Sequence, residues 1–124
     1  MHRVSDAEPF TIEIKREFPE ALVIITGEVD ASNVGALYEN FAALAREGIQ
    51  RLSLNLAELT FMDSTGLSFL VSVHKRAQAL GGELVISAAS TQIRQLFSVT
   101  GVDSYFNIEP EARPEPEPLR IAAG

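Results

Sequence analysis

The spacing of apolar residues changes several times along this chain, from alternation to helical repeats and back, and that restricts it to a layered α/β fold. Phe10, Ile12 and Ile14 alternate with polar neighbours, as in a strand with one wet face. After a turn at Pro19, Ala21-Leu22-Val23-Ile24-Ile25 is an unbroken apolar run, which reads as an inner strand buried on both sides. Ser32 or Asn33 can cap a helix in which Val34, Leu37, Tyr38, Phe41 and Ala45 recur at helical spacing, with Gly48 as its stop. Leu52, Leu54 and Leu56 alternate again as a third strand. A second helix is expected from near Ser64 to Leu80, stopped by Gly81-Gly82, and Leu84-Val85-Ile86 follows as a fourth strand. Ser90 or Thr91 opens a short third helix carrying Ile93, Leu96, Phe97 and Thr100, closed by Gly101, and Tyr105–Ile108 supplies a last strand. The order β-β-α-β-α-β-α-β predicts a mixed sheet with helices.

The 124 residues suit one domain, placed at 9–108. Residues 1–8 are expected to be a flexible lead. Residues 109–124 open on Glu-Pro-Glu-Ala-Arg-Pro-Glu-Pro-Glu-Pro, which holds four of the six prolines. Proline fixes φ and removes donors while the glutamates repel, so a disordered acidic tail is expected, either a solubilising extension or a docking element for a basic partner. A net charge of −7, with 10 Lys and Arg thinly spread, argues against nucleic acid and against landing on an anionic membrane. No apolar stretch approaches the ~20 residues of a membrane span, and the N-terminal residues lack a signal-peptide core, so a cytoplasmic protein is expected.

Cysteine is absent, which removes disulfides, thiolate metal sites and cysteine nucleophiles. There is no nucleophile elbow, phosphate-cradling glycine loop or metal-ligand pair, so neither cofactor nor metal is expected. Ser64 and His74 form the only conceivable dyad. On one helix, ten positions apart, they stand ~15 Å apart, where a base must reach about 3 Å. An enzyme is therefore not expected, and His74 reads as a surface or flank residue. Gly81-Gly82 reads as a helix stop and turn.

Phe61-Met62-Asp63-Ser64-Thr65-Gly66-Leu67 joins the third strand to the second helix. Plain capping by Asp63 or Ser64 accounts for its small polar residues. At ~100° per residue, Gly66, Phe69, Leu70, Val73, Ala77 and Leu80 share the side that must face the sheet. Ser64, Leu67, Ser68 and Val71 fall elsewhere, leaving an apolar stripe beside hydroxyls. Three readings stand: a partner-binding surface, a face covered by another helix of the same domain, or two lone surface aliphatics with no role. A phosphate on Ser64 would add about −1.5 to −2 charges beside Asp63. The helix N-terminus tolerates it, whereas a partner packed over the stripe does not.

The run Leu54-Asn55-Leu56-Ala57-Glu58-Leu59-Thr60-Phe61-Met62-Asp63-Ser64-Thr65-Gly66-Leu67 resembles the signature of STAS domains, specifically bacterial anti-sigma factor antagonists. Gly27-Glu28-Val29-Asp30, Gly81-Gly82-Glu83-Leu84 and Ile93-Arg94-Gln95-Leu96-Phe97 with Gly101 support it, so the resemblance spans 10–108. It implies a four- to five-stranded mixed sheet with three to four helices packed mainly on one face. It also implies a partner-switching regulator. The unmodified form binds an anti-sigma factor that is a serine kinase and so frees a sigma factor; phosphorylation ends the contact, and a metal-dependent serine phosphatase reverses it. By motif match Ser64 is the phosphoacceptor and Thr65 a minor or decoy site. Asp30, Asp63, Ser64, Thr65, Leu67, Ser68 and Val71 form the partner-binding set, and the protein is expected to be a monomer or weak dimer. Asn55 departs from the Asp common at its position, and the tail has no counterpart in the motif. Within the fold, the alternatives are a STAS subunit of a membrane transporter ATPase of lipid-transport type, or a stress-complex scaffold.

Overall fold

A computed structural model describes residues 10–109, so the lead 1–8 and all of the tail after Glu109 lie outside the described residues. The chain forms β1 (Thr11–Glu17), β2 (Glu20–Val29), α1 (Val34–Arg46), β3 (Arg51–Leu56), β4 (Leu59–Met62), α2 (Ser64–Ala79), β5 (Glu83–Ala89) and α3 (Thr91–Thr100). A 3₁₀ turn at Val102–Ser104 and a short β6 (Asn107–Ile108) complete it.

The sheet runs β1-β2-β3-β5-β6, with β4 also paired to β2. Among the described residues only β1 and β2 are antiparallel; the remaining pairs are parallel. Register sets Ile14, Val23, Leu54, Ile86 and Ile108 in one cross-strand row. Val23, Leu54 and Ile86 in that row are fully buried. Together with Phe69, Leu70, Ile93 and Phe97 from the helices they form the core.

Three sequence expectations change. The sheet has six strands rather than four to five, because β4 lies within what reads as the approach to the second helix. β3 pairs with the first half of β2 and β4 with its end, so the two are separate segments along one side of β2. The break between them is a turn in which the Asn55 side chain accepts from the Ala57 N–H at 2.9 Å. The apolar run at 21–25 is not buried on both sides: Ala21, Val23 and Ile25 are buried, whereas Leu22 and Ile24 are half-exposed on the opposite face. The last strand shrinks to two residues because Tyr105 and Phe106 fold against His74 instead.

His74 is itself a correction. It is buried, with 7% exposure, at edge-to-face ring distances of 4.7 Å from Tyr105 and 5.7 Å from Phe106. Leu80, expected to face the sheet, is 65% exposed. The buried face of α2 is thus Gly66, Phe69, Leu70 and His74.

Gly81 and Gly82 serve different needs. Gly81 takes φ +80°, the left-handed conformation that ends a helix. At Gly82 a Cβ would stand 2.2 Å from the Gln50 carbonyl oxygen, so the chain passes the residue before β3 too closely for any side chain.

Candidate functional site

The mouth of α2 is organised by one carboxylate. Asp63 is the N-cap, with extended backbone angles. Its Oδ1 accepts from the Thr65 N–H at 2.9 Å, the Gly66 N–H at 3.1 Å and the Thr65 hydroxyl at 2.5 Å. The backbone N–H of Ala31 also acts to lower the pKa of this carboxylate, so the loop before α1 lies beside the start of α2. The strands bring the two loops together: Val29 and Met62 are register partners, and the Asp63 N–H donates to the Val29 carbonyl at 3.2 Å.

The Thr65 hydroxyl, followed by the backbone donors of Gly66, Thr65 and Ala31, holds the Asp63 carboxyl below its usual value against the opposing effect of partial desolvation. A depressed folded value means that this contribution to stability is present above the unfolded pKa of about 4, and is lost as pH falls through the folded value. Asp63→Asn keeps a capping acceptor but cannot titrate. Its urea midpoint is expected to fall less than that of the wild type between pH 5 and pH 2.5; an equal fall in both would show that Asp63 contributes nothing to acid sensitivity.

Gly66 is required by packing. A Cβ there would lie 2.5 Å from Met62 Cγ and 3.0 Å from Val29 Cγ1, so this end of α2 sits directly on β2 and β4. Ser64, two residues before Gly66, faces outward. Ser64 is the first residue of α2 and is exposed, and its hydroxyl has no hydrogen-bond partner among the described residues.

Asp30 borders the same mouth but is occupied locally. Its Oδ1 accepts from the Ser32 N–H at 3.0 Å and the Ser32 hydroxyl at 2.6 Å. Asn33 does not cap α1 with its side chain, which instead accepts from the Asp30 N–H at 3.0 Å and donates to the Glu28 carbonyl at 2.8 Å. Both contacts brace the loop beside Asp63.

Leu67 and Val71 are half-buried and pack on the core, while Ser68 is exposed. The apolar stripe on α2 is therefore partly used by the domain itself. Phe61, which sequence reasoning did not select, is 47% exposed on β4, two residues before Asp63. Strict alternation would set Phe61 on the same face as the buried Leu59; a register shift between the Gly27–Leu59 and Glu28–Phe61 pairs turns Phe61 outward instead, so no periodicity in the sequence marks it.

The arrangement offers an unengaged hydroxyl beside an ionised carboxylate, with an exposed aromatic ring nearby. Among the described residues no group of three His, Asp or Glu could hold a metal. No helix among them is long and apolar enough to cross a membrane.

The family model described as the STAS domain matches residues 11–113. The anti-sigma-B factor antagonist of Bacillus subtilis (strain 168) is 31% identical over 97 residues, covering 78% of this chain and 88% of the relative. Among solved structures, an anti-sigma factor antagonist from Mycobacterium paratuberculosis superposes with a TM-score of 0.73 at 22% identity, covering 82% of this chain and 86% of that one. The antagonist SpoIIAA in its unphosphorylated form gives 0.70 at 17% identity, covering 82% and 90%. Its phosphorylated form gives 0.64 at 20%, covering 83% and 93%.

Proposed function

The chain belongs to the STAS domain family, and from that premise we propose that it is an anti-sigma factor antagonist switched by phosphorylation at Ser64. Its unmodified form binds an anti-sigma factor that is a serine kinase and frees the sigma factor. That kinase transfers a phosphoryl group from ATP to Ser64, and a serine phosphatase removes it. The protein has no catalysis of its own and acts in the cytoplasm as a monomer or weak dimer. The names of its curated relatives support the role, and the two recorded forms of SpoIIAA support a phosphate as the switch.

One observation carries the choice of residue. The Thr65 hydroxyl is committed to Asp63 Oδ1, whereas the adjacent Ser64 hydroxyl is exposed and unengaged among the described residues. A phosphoacceptor must present its oxygen to another protein's active site, and only Ser64 does so without breaking the cap. Asp63, Thr65 and Ser68 frame that oxygen, with Asp30 holding the neighbouring loop and the exposed parts of Leu67 and Val71 extending the contact surface along α2.

The electrostatics favour an effect on binding rather than on folding. The N–H groups of Thr65 and Gly66 that could receive a phosphate are already engaged by Asp63. The added charge therefore stays beside an ionised carboxylate and faces whatever covers the site. Incubation with the cognate anti-sigma kinase and ATP tests the assignment. Ser64→Ala is expected to take up no phosphate, and Thr65→Val to take up phosphate at Ser64, with mass spectrometry locating it. Phosphate on Thr65 in the Ser64→Ala protein would transfer the role to Thr65.

A further inference from the structure

At the far end of α2 the structure holds a second concave site, unconnected with Ser64. A cavity of about 480 Å³ lies between α1 and α2, within the size range of small-molecule sites, which is roughly 300–1,000 Å³. Ala77 on its wall is thirteen positions beyond Ser64, or ~20 Å along the helix axis.

The sequence explains why it is open. Near the start of α2, Phe69 meets Tyr38 and Phe41 edge-to-face at 4.9 and 5.1 Å, which locks the two helices together. One to two turns further on, the lining residues are Ala42 and Ala45 from α1 and Val73 and Ala77 from α2. Alanines on both helices are too short to fill the gap, so it stays open above Leu44 and Leu52. Leu80, 65% exposed, and Tyr38, 45% exposed, stand at its rim.

Its charge is the opposite of the molecule's. The protein carries 17 Asp and Glu and a net charge of −7, yet among the described residues no acidic one lines this cavity. The one charged residue in the lining is Arg76, and among the described residues its guanidinium has neither hydrogen-bond nor ion-pair partner. Among the described residues the cations that do form ion pairs, Arg16 and Arg51, meet glutamates. An apolar cleft of ligand size with a single unpaired guanidinium matches a molecule with an aliphatic body and one anionic end.

We propose that the α1–α2 cavity binds a small amphipathic carboxylate, with its acyl chain between Ala45 and Ala77 and its carboxylate on Arg76. The guanidinium presents a planar fork that a carboxylate meets with two parallel bonds, and the cleft walls remove the chain from water.

The test is an NMR titration of the full chain with decanoate below its micelle concentration, alongside decanol as the uncharged counterpart. Saturable 1:1 binding is expected, with backbone shifts concentrated at Ala45, Ala77 and Leu80. Arg76→Gln, an exposed change that leaves the core untouched, should weaken decanoate about tenfold and leave decanol unchanged. Ala77→Trp fills the cleft and should abolish both. Shifts that never saturate, that centre on the mouth of α2 or the open face of the sheet, or that Arg76→Gln leaves unaltered for decanoate would each overturn the proposal. Should Ala77→Trp fail to fold, the contrast between the two ligands in Arg76→Gln decides alone.

Discussion

Ser64→Asp is expected to weaken binding to the anti-sigma factor about a hundredfold or more while leaving the thermal midpoint within a degree or two of the wild type. The loss follows from setting an unpaired charge under a partner. Such burial costs on the order of 2–5 kcal/mol, and each 1.4 kcal/mol is a factor of ten. The insensitivity of the fold follows from position. Ser64 is exposed, makes no side-chain hydrogen bond among the described residues, and begins a helix whose cap is provided entirely by Asp63. Calorimetric titration of both proteins against the purified partner measures the loss. Ser64→Ala, which introduces no charge, should bind much as the wild type does. If Ser64→Asp bound as tightly as the wild type, Ser64 would be only the first residue of a helix. Capture from native cytosol that returned transporter ATPase subunits equally with both baits would then favour the transporter-subunit alternative.

Phe69→Ala is expected to carry the largest cost in stability, about 3–5 kcal/mol, because it empties a fully buried site rather than trimming its edge. The ring is 1% exposed and is the common partner of Tyr38 and Phe41. Its removal deletes apolar burial and both edge-to-face contacts, each worth about 0.5–1.5 kcal/mol beyond area. For about a hundred ordered residues the thermal midpoint should fall by roughly 12–20 °C, measurable by calorimetry or circular dichroism. A fall of only a few degrees would mean that α1 and α2 close over the space, which would also shrink the cavity beyond them.

Much of the fold was legible because burial imposes periodicity. Each helix appears where the apolar spacing predicted it, and Gly48, Gly81 and Gly101 end the helices in left-handed conformations. The misread positions share a cause. The four residues at 59–62 do not alternate, since Leu59 and Met62 are both buried across a register shift, and their strand status depends on pairing with Gly27–Val29, more than thirty residues away. His74 reads as a surface residue because a lone imidazole carries no sign of its surroundings. What buries it is Tyr105 and Phe106, delivered by the turn after α3.

The mouth of α2 divides in the same way. Asp63-Ser64-Thr65-Gly66 sets a capping carboxylate, two hydroxyls and a glycine in a fixed local order, and that order alone places the candidate segment at the start of a helix. Beyond the motif match, which points to Ser64, the sequence does not distinguish the two hydroxyls. A rotamer that closes onto Asp63 occupies the one on Thr65, and the close seat of Gly66 on Met62 and Val29 holds the helix so that the one on Ser64 points to solvent. The sequence by itself therefore determined the layered α/β class, the helix ends and the place of the proposed switch, because these depend on residues within a few positions of one another. Which hydroxyl is available, what covers His74 and the open cleft at Arg76 were decided only by tertiary structure, because each depends on the distance between segments that sequence leaves far apart.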